Sequence, residues 1–184
     1  MPFEEQYYTY ADYLEWDENI RIELVDGEAI MMAPALTNHQ QISMELSFQI
    51  RKYLEGKTCK VFTAPFGVRL FPKKDKSDNT VFEPDIVVIC DPAKLDKRGC
   101  NGAPDLVIEI ISPSSIRHDR IVKFRKYQLA GVKEYWIVDP DSKTLQVCIL
   151  EKGRYIISMY DETEKVPVTV LKNCEIDLAA VFAE

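Results

Sequence analysis

Two short apolar runs, each carrying a carboxylate where charge is expensive, constrain this chain more than any other feature. Pro84-Asp-Ile-Val-Val-Ile-Cys90 and Asp105-Leu-Val-Ile-Glu-Ile-Ile111 lack polar–apolar alternation and are bounded by loop residues. Runs of this kind are central strands covered on both faces, which implies a sheet with other elements packed on it. Asp85 opens the first strand behind Pro84, and Glu109 stands in the middle of the second. A buried ionised carboxylate is costly unless a cation or a hydrogen-bonding partner neutralises it. Two of them on adjacent strands repel each other, and a shared divalent ion removes that repulsion. Oxygen donors suit Mg²⁺ or Mn²⁺, ions that polarise a phosphate and acidify a water. The competing reading makes Asp85 a solvent-facing or arginine-paired strand end. For Glu109, with apolar residues on both sides, that reading is weaker.

The remaining pattern surrounds these strands with further α and β elements. Thr9 caps a short helix running to Trp16, and Ile22–Met32 is a hairpin turning at Asp26-Gly27. Ile42, Leu46, Ile50, Tyr53 and Leu54 recur with helical period, so 38–54 is an amphipathic helix stopped by Gly56. Strands follow at 61–64 and 66–71, then a polar, lysine-rich hairpin tip at 72–80 that reads as flexible. Residues 91–104 read as a loop, 118–130 as one helix ended by Gly131, and 134–139 as a buried strand. A hairpin turning at Lys152-Gly153 and a tail of strands and a short helix complete the chain. The order predicts one α/β (α+β) domain over 1–184, a mixed central sheet flanked by helices with extra N- and C-terminal strands.

A length of 184 residues with 46% hydrophobic and 29% charged residues suits one such core. Thirty acidic against 23 basic residues give a net charge of -7, which argues against tight, autonomous binding to many DNA phosphates. Basic residues do cluster locally, at Lys73, Lys74 and Lys76 and again at Arg117, Arg120, Lys123, Arg125 and Lys126. Five cysteines, an odd number without a C-x-x-C pair, and no signal-peptide pattern at Met1–Tyr10 predict free thiols in a reducing cytoplasm. The spacing offers no ligand pairing for zinc on cysteine. No apolar run reaches the ~20 residues of a membrane span.

Lys123 lies on the helix after Glu109. Asp119 and Lys123 are four apart and share a face, which is compatible with a surface ion pair or with a lysine turned back over the sheet. In the second arrangement its ammonium would orient an attacking water or stabilise a pentacoordinate phosphate, and Tyr127 lies one turn further on the same face.

Taken together, Glu83-Pro-Asp85, Asp105–Ser114, Asp119…Lys123…Tyr127 and Gly131–Pro140 resemble the Uma2 family of restriction-endonuclease-like proteins, as do Glu23–Gly27 and Met32-Ala-Pro…His39. The resemblance runs from about Tyr8 to Leu150. It implies a PD-(D/E)xK nuclease core that binds Mg²⁺ (or Mn²⁺) and cleaves phosphodiesters of nucleic acid, DNA above all. Asp85 matches the motif's aspartate and Glu109 its second acid. The motif's lysine would stand two residues later, where this chain has Ile111, and Lys123 on the following helix is the matching position. Glu23 matches an additional acid, and His39 opens the first long helix beside the site. Read without the family, Glu23 is an exposed strand residue and His39 a locally satisfied helix-terminal residue. Ser112 contacts metal or phosphate, or merely closes a turn before Pro113. A homodimer is a further expectation, since this fold often pairs two sites.

Neither a nucleophile elbow nor a glycine-rich phosphate loop is present, and the spacing of His39 and His118 gives no support to a metal pair. Tyr135 and Trp136, in a buried strand, read as packing. Two functions from different classes remain open: a metal-dependent endonuclease, and a catalytically silent nuclease-like scaffold acting as a binding or regulatory module.

Overall fold

The computed structural model describes residues 6–17 and 19–183. Met1–Glu5, the first half of the Met1–Tyr10 stretch, lies outside them.

Thr9 precedes helix α1 (Tyr10–Tyr13), and the Asp12 carboxylate accepts from both the Thr9 backbone and its hydroxyl, at 2.7 Å each. Strands β1 (Ile22–Val25) and β2 (Glu28–Met31) form the expected hairpin. Asp26 and Gly27 both have positive φ, 52° and 92°, which gives the right twist for a two-residue turn. Helix α2 (Thr37–Tyr53) is followed by β3 (Lys60–Thr63), β4 (Gly67–Arg69), β5 (Val81–Phe82) and β6 (Ile86–Ile89). The stretch expected to be a bare loop at 91–104 holds a 3-10 turn (Pro92–Lys94) and a short strand, β7 (Gly99–Asn101). β7 runs parallel to β4, a long-range pairing that three residues of local pattern do not reveal.

Strands β8 (Leu106–Ile110), β9 (Glu134–Asp139), β10 (Thr144–Glu151) and β11 (Arg154–Asp161) complete a six-stranded sheet of order β11-β10-β9-β8-β6-β3. It is mixed: β8 and β9 are parallel and the other pairs antiparallel. A second sheet has the order β2-β1-β5-β4-β7. The tail adds β12 (Lys165–Pro167), β13 (Glu175–Asp177) and helix α4 (Leu178–Val181).

The non-alternating runs do cover both faces. Ile86, Val88, Leu106, Ile108 and Ile110 pack with Ile42, Leu46 and Ile50 of α2 and with the C-terminal segment. Val87, Ile89, Val107 and Ile111 face the other way, onto Phe82 and Val68 of the second sheet and onto Tyr127. Tyr135 and Trp136 are fully buried packing residues. Leu46 is completely inaccessible, so Leu46→Ala should cost about 2–5 kcal/mol in urea unfolding, with m unchanged.

Two expectations are overturned. Segment 72–80 is tied down by Asp78, which is buried and accepts from Arg69 Nε and Nη2 at 2.9 and 2.6 Å and from the Lys73 backbone. The local polarity of the segment conceals this anchor, nine residues back on β4. The thiols are also not all free: Cys59 and Cys90 form a disulfide. They are the pair next in register after Lys60 and Ile89 on the antiparallel strands β3 and β6, a neighbourhood invisible from their 31-residue separation. Cys100, Cys148 and Cys174 are free and buried. No described helix is long and apolar enough to cross a membrane.

Candidate active site

β6 and β8 pair with Ile86 opposite Ile108 and Val87 opposite Val107. One step further in that register sets Asp85 opposite Glu109, as the two carboxylate-bearing runs require. Asp85 Oδ2 accepts from the Ile110 backbone N–H at 2.8 Å and contacts His39 Nε2 at 3.1 Å. Glu109 Oε1 accepts from Lys123 Nζ at 2.9 Å and from the Tyr127 hydroxyl at 2.8 Å. Among the described residues, Asp85 Oδ1 and Glu109 Oε2 take part in no hydrogen bond.

Lys123 meets Glu109 from the helix that follows the strand. Glu109 shares its face of β8 with Val107 and Ile111, and Ile111 fills the hydrophobic layer where a motif lysine would stand. Lys123 reaches in instead and is 1% exposed, as deeply buried as any core side chain. Its ammonium meets Glu23 Oε1 at 2.9 Å, Glu109 Oε1 at 2.9 Å and Asp119 Oδ1 at 3.5 Å. The Asp119–Lys123 pair is therefore an interior contact and not a surface ion pair.

The helix expected at 118–130 is π-helical over His118–Lys123 and α-helical (α3) only over Phe124–Ala130, ending at Gly131 with φ 87°. In a regular α-helix residues five apart diverge by roughly 140°. The wider winding lets His118 and Lys123 converge on one carboxylate: His118 Nε2 contacts Glu23 Oε2 at 2.9 Å while Lys123 holds Oε1. Insertions of this type collect at functional sites. Sequence periodicity alone gave His118 no place beside Glu23 and Asp119 no more than an ion pair with Lys123. The one available signal was an acid and a lysine four apart with a histidine just before them.

Glu23 is neither exposed nor a strand-end residue; it is fully buried on β1 and also accepts from the Glu83 backbone at 2.9 Å. Burial opposes its ionisation, but Lys123, His118 and that backbone N–H outweigh it and hold the carboxyl at about 2. Its folded-state value lies below its unfolded one, so its stabilisation is full above about pH 4.5 and disappears as pH falls through about 2. Comparing Glu23→Gln with the parent protein in urea at a series of pH values should show a gap that closes over that window.

Glu109 behaves oppositely. Complete burial, then the carboxylates of Asp119, Asp85 and Glu23, push it well above the usual range against the opposing pull of Lys123. Burial likewise raises Asp119. Lys123 is held charged: burial disfavours the ammonium, but Glu109, Glu23 and Asp119 more than reverse that. Four carboxylates thus converge with one ammonium and two histidines, and Glu109 is the acid most in need of additional positive charge.

A cleft of about 430 Å³ opens over Asp85, Glu109, Lys123, His39, His118 and Asp119, walled by Met31–Leu36 and floored by Ile110–Ser115. Ser112 lines it, but its backbone and hydroxyl are engaged within the turn to Ser115, as a structural role predicts. His39 is not merely locally satisfied, since its Nε2 is on Asp85. Among the described residues no three His, Cys, Asp or Glu side chains are arranged to enclose a metal ion. That does not exclude Mg²⁺, which keeps several waters and is commonly held by one or two carboxylates together with substrate phosphate. The donor chemistry of Asp85 and Glu109 fits it.

A sequence model of the family Uma2, described as "Putative restriction endonuclease", matches residues 10–179. The chain belongs to the Uma2 family. Two proteins of Synechocystis sp. are similar to it. The uncharacterized protein slr1290 is 27% identical over 161 residues, covering 84% of this chain and 81% of its own. The uncharacterized protein sll1609 is 27% identical over 136 residues, covering 71% and 74%. The fold also matches a crystal structure from Anabaena variabilis described as "a putative nuclease belonging to DUF820". The TM-score is 0.77 with 20% identity, over 96% of this chain and 98% of that one. At that identity the likeness bears on the fold alone, a nuclease-like mixed sheet with flanking helices.

Proposed function

We propose that this protein is a divalent-cation-dependent endonuclease that hydrolyses DNA phosphodiester bonds at the Asp85–Glu109 cleft. The observation that carries the reading is the cross-strand placement of Asp85 and Glu109. Each keeps one carboxylate oxygen uncommitted, beside a lysine ammonium buried on Glu109. The names of the family and of the structural neighbour support it.

Asp85 Oδ1 and Glu109 Oε2 would hold Mg²⁺ or Mn²⁺, which when bound supplies charge neutralisation and a more acidic water. The chain's own groups do the rest. Ile110 N–H and His39 fix the Asp85 carboxylate, and Tyr127 and Lys123 fix that of Glu109. Lys123 is the preorganised positive charge for a phosphate that gains charge in the transition state. Glu23 and His118 are positioning residues, acting through Lys123 and through each other.

Incubation of plasmid, single-stranded and branched DNA with the purified protein in Mg²⁺ or Mn²⁺, beside Asp85→Ala and Glu109→Ala, tests the reading. Cleavage confined to the parent protein supports it, and cleavage surviving in both variants sinks it. One observation favours a second reading, a silent nuclease-like binding module: Glu109 Oε1 is already taken by Lys123 and Tyr127, and no three-ligand cluster is formed among the described residues. Absence of both cutting and Mn²⁺ binding in calorimetry selects it. A homodimer belongs to the same proposal. Edge strand β11 leaves Ile157 and Met159 on one side of the sheet and Ile156 on the other about half exposed, an edge a second copy can cover, and light scattering reads the mass.

A further inference from the structure

The cleft does not end at the carboxylates. A second hollow of about 420 Å³ continues from it along the outer face of α2, and Arg21, His39, Asp85 and Ala35 line both. Further along, the second hollow is bounded by Met44, Phe48 and Arg51. Met44 and Phe48 lie one helical turn apart and are 74% and 57% exposed, an unusual pairing on a helix whose other face is the protein core. Two basic groups adjoin Phe48. Arg51 is exposed without an ion pair among the described residues, and Lys52 Nζ stands 5.9 Å from the Phe48 ring centroid. Where the two hollows meet, Arg21 gives its Nε to Glu83 at 3.0 Å, while its Nη2 is buried with no hydrogen-bond partner among the described residues. A buried guanidinium N–H without an acceptor is a rare and costly arrangement, and a phosphate oxygen is its natural complement.

We infer that an unpaired strand of nucleic acid passes from the cleft along α2, with Arg21 gripping a phosphate at the junction and Phe48 stacking on a base beyond it. This rests on the cleft being where the phosphodiester binds. The occupant follows from chemistry. An exposed aromatic ring beside Arg51 and Lys52 matches a base with its flanking phosphates, and only an unpaired base offers its face to a side chain. A duplex would be held chiefly through many phosphate contacts, for which a net charge of -7 is ill suited. Stacking adds affinity that does not depend on net charge. The hollow is continuous with the site, so a bound strand is delivered to Asp85 and Glu109 without a further opening.

The test measures binding apart from cutting. Fluorescence anisotropy with the full chain in Ca²⁺ compares a short fluorescein-labelled oligothymidylate with a duplex of equal length. The single strand should bind about tenfold or more tightly than the duplex. Phe48→Ala should weaken it by about five- to fiftyfold, Phe48→Trp should restore it, and Arg51→Glu should weaken both probes. Phe48 is exposed, and unchanged far-UV circular dichroism and melting temperature establish that the variant is folded. Equal affinity for the two probes, no binding of either, or no loss in Phe48→Ala overturns the inference. So does light scattering in which Phe48→Ala turns a dimer into a monomer while binding is unaltered, which would make this face a contact between copies. Strand binding along α2 without any cleavage would instead sink the endonuclease reading and leave the groove standing. Cleavage with the Phe48→Ala affinity unchanged would do the reverse.

Discussion

Lys123→Met is expected to lower the melting temperature by roughly 6 to 20 °C. Methionine nearly preserves the volume of the side chain, so packing is retained and the charge alone is lost. Glu23, Glu109 and Asp119 then face one another around a thioether, without the ammonium that all three share. Breaking a buried ion cluster by removing one partner costs about 3–5 kcal/mol, and each kcal/mol is worth about 2–4 °C in a domain of this size. The loss should depend on pH in a defined sense. Lys123 lowers the proton affinity of Glu23, Glu109 and Asp119, so without it all three bind protons more readily in the folded state. Acids raised in the fold destabilise it at high pH and cease to do so once protonated. The gap between variant and parent should therefore be widest near neutrality and above, and narrow towards pH 5. Scanning calorimetry at several pH values reads it, and a gap independent of pH would mean that lost packing, not exposed carboxylate charge, is responsible.

Asp85→Ala is expected to reduce DNA cleavage on the order of a thousandfold or more. It removes one of the two oxygen donors proposed for the ion, along with the partner of His39 and of the Ile110 N–H. Mn²⁺ binding in calorimetry should fall with it, while stability changes far less than in Lys123→Met. Asp85 stands at the lip of the cleft with 16% of its side chain exposed, whereas Lys123 is enclosed. The two variants thus separate an effect on chemistry from one on folding. If Asp85→Ala retained Mn²⁺ affinity, the ion would have to be bound elsewhere.

Much of this arrangement was legible in the chain before folding. The two apolar runs each had to be a strand covered on both faces, and a charge within such a strand needs a partner. That reasoning placed Asp85 and Glu109 on neighbouring strands of a mixed sheet. Lys123 was reached through resemblance, because Ile111 occupies the position where the motif has lysine. Glu23, read locally, was an exposed strand residue. Its burial comes from long-range contacts of β1, which bring Glu23 onto Lys123, His118 and the Glu83 backbone. His118 was missed because an α-helical period puts it off the face shared by Asp119, Lys123 and Tyr127. The Cys59–Cys90 pair was missed because proximity across β3 and β6 is a matter of register.

The sequence by itself determined where most of the strands and helices lie, and that two carboxylates would be carried into apolar surroundings. Period and burial preference are written in neighbouring residues, so they survive reading one segment at a time. Only the tertiary structure decided how those charges are answered. Lys123 reaches Glu109 across 14 positions and Glu23 across 100 (123 − 23), through a π-helical turn and the packing of two sheets. Electrostatic neutralisation depends on distance in space. No local pattern fixes that distance, and here the energy of the whole core holds it.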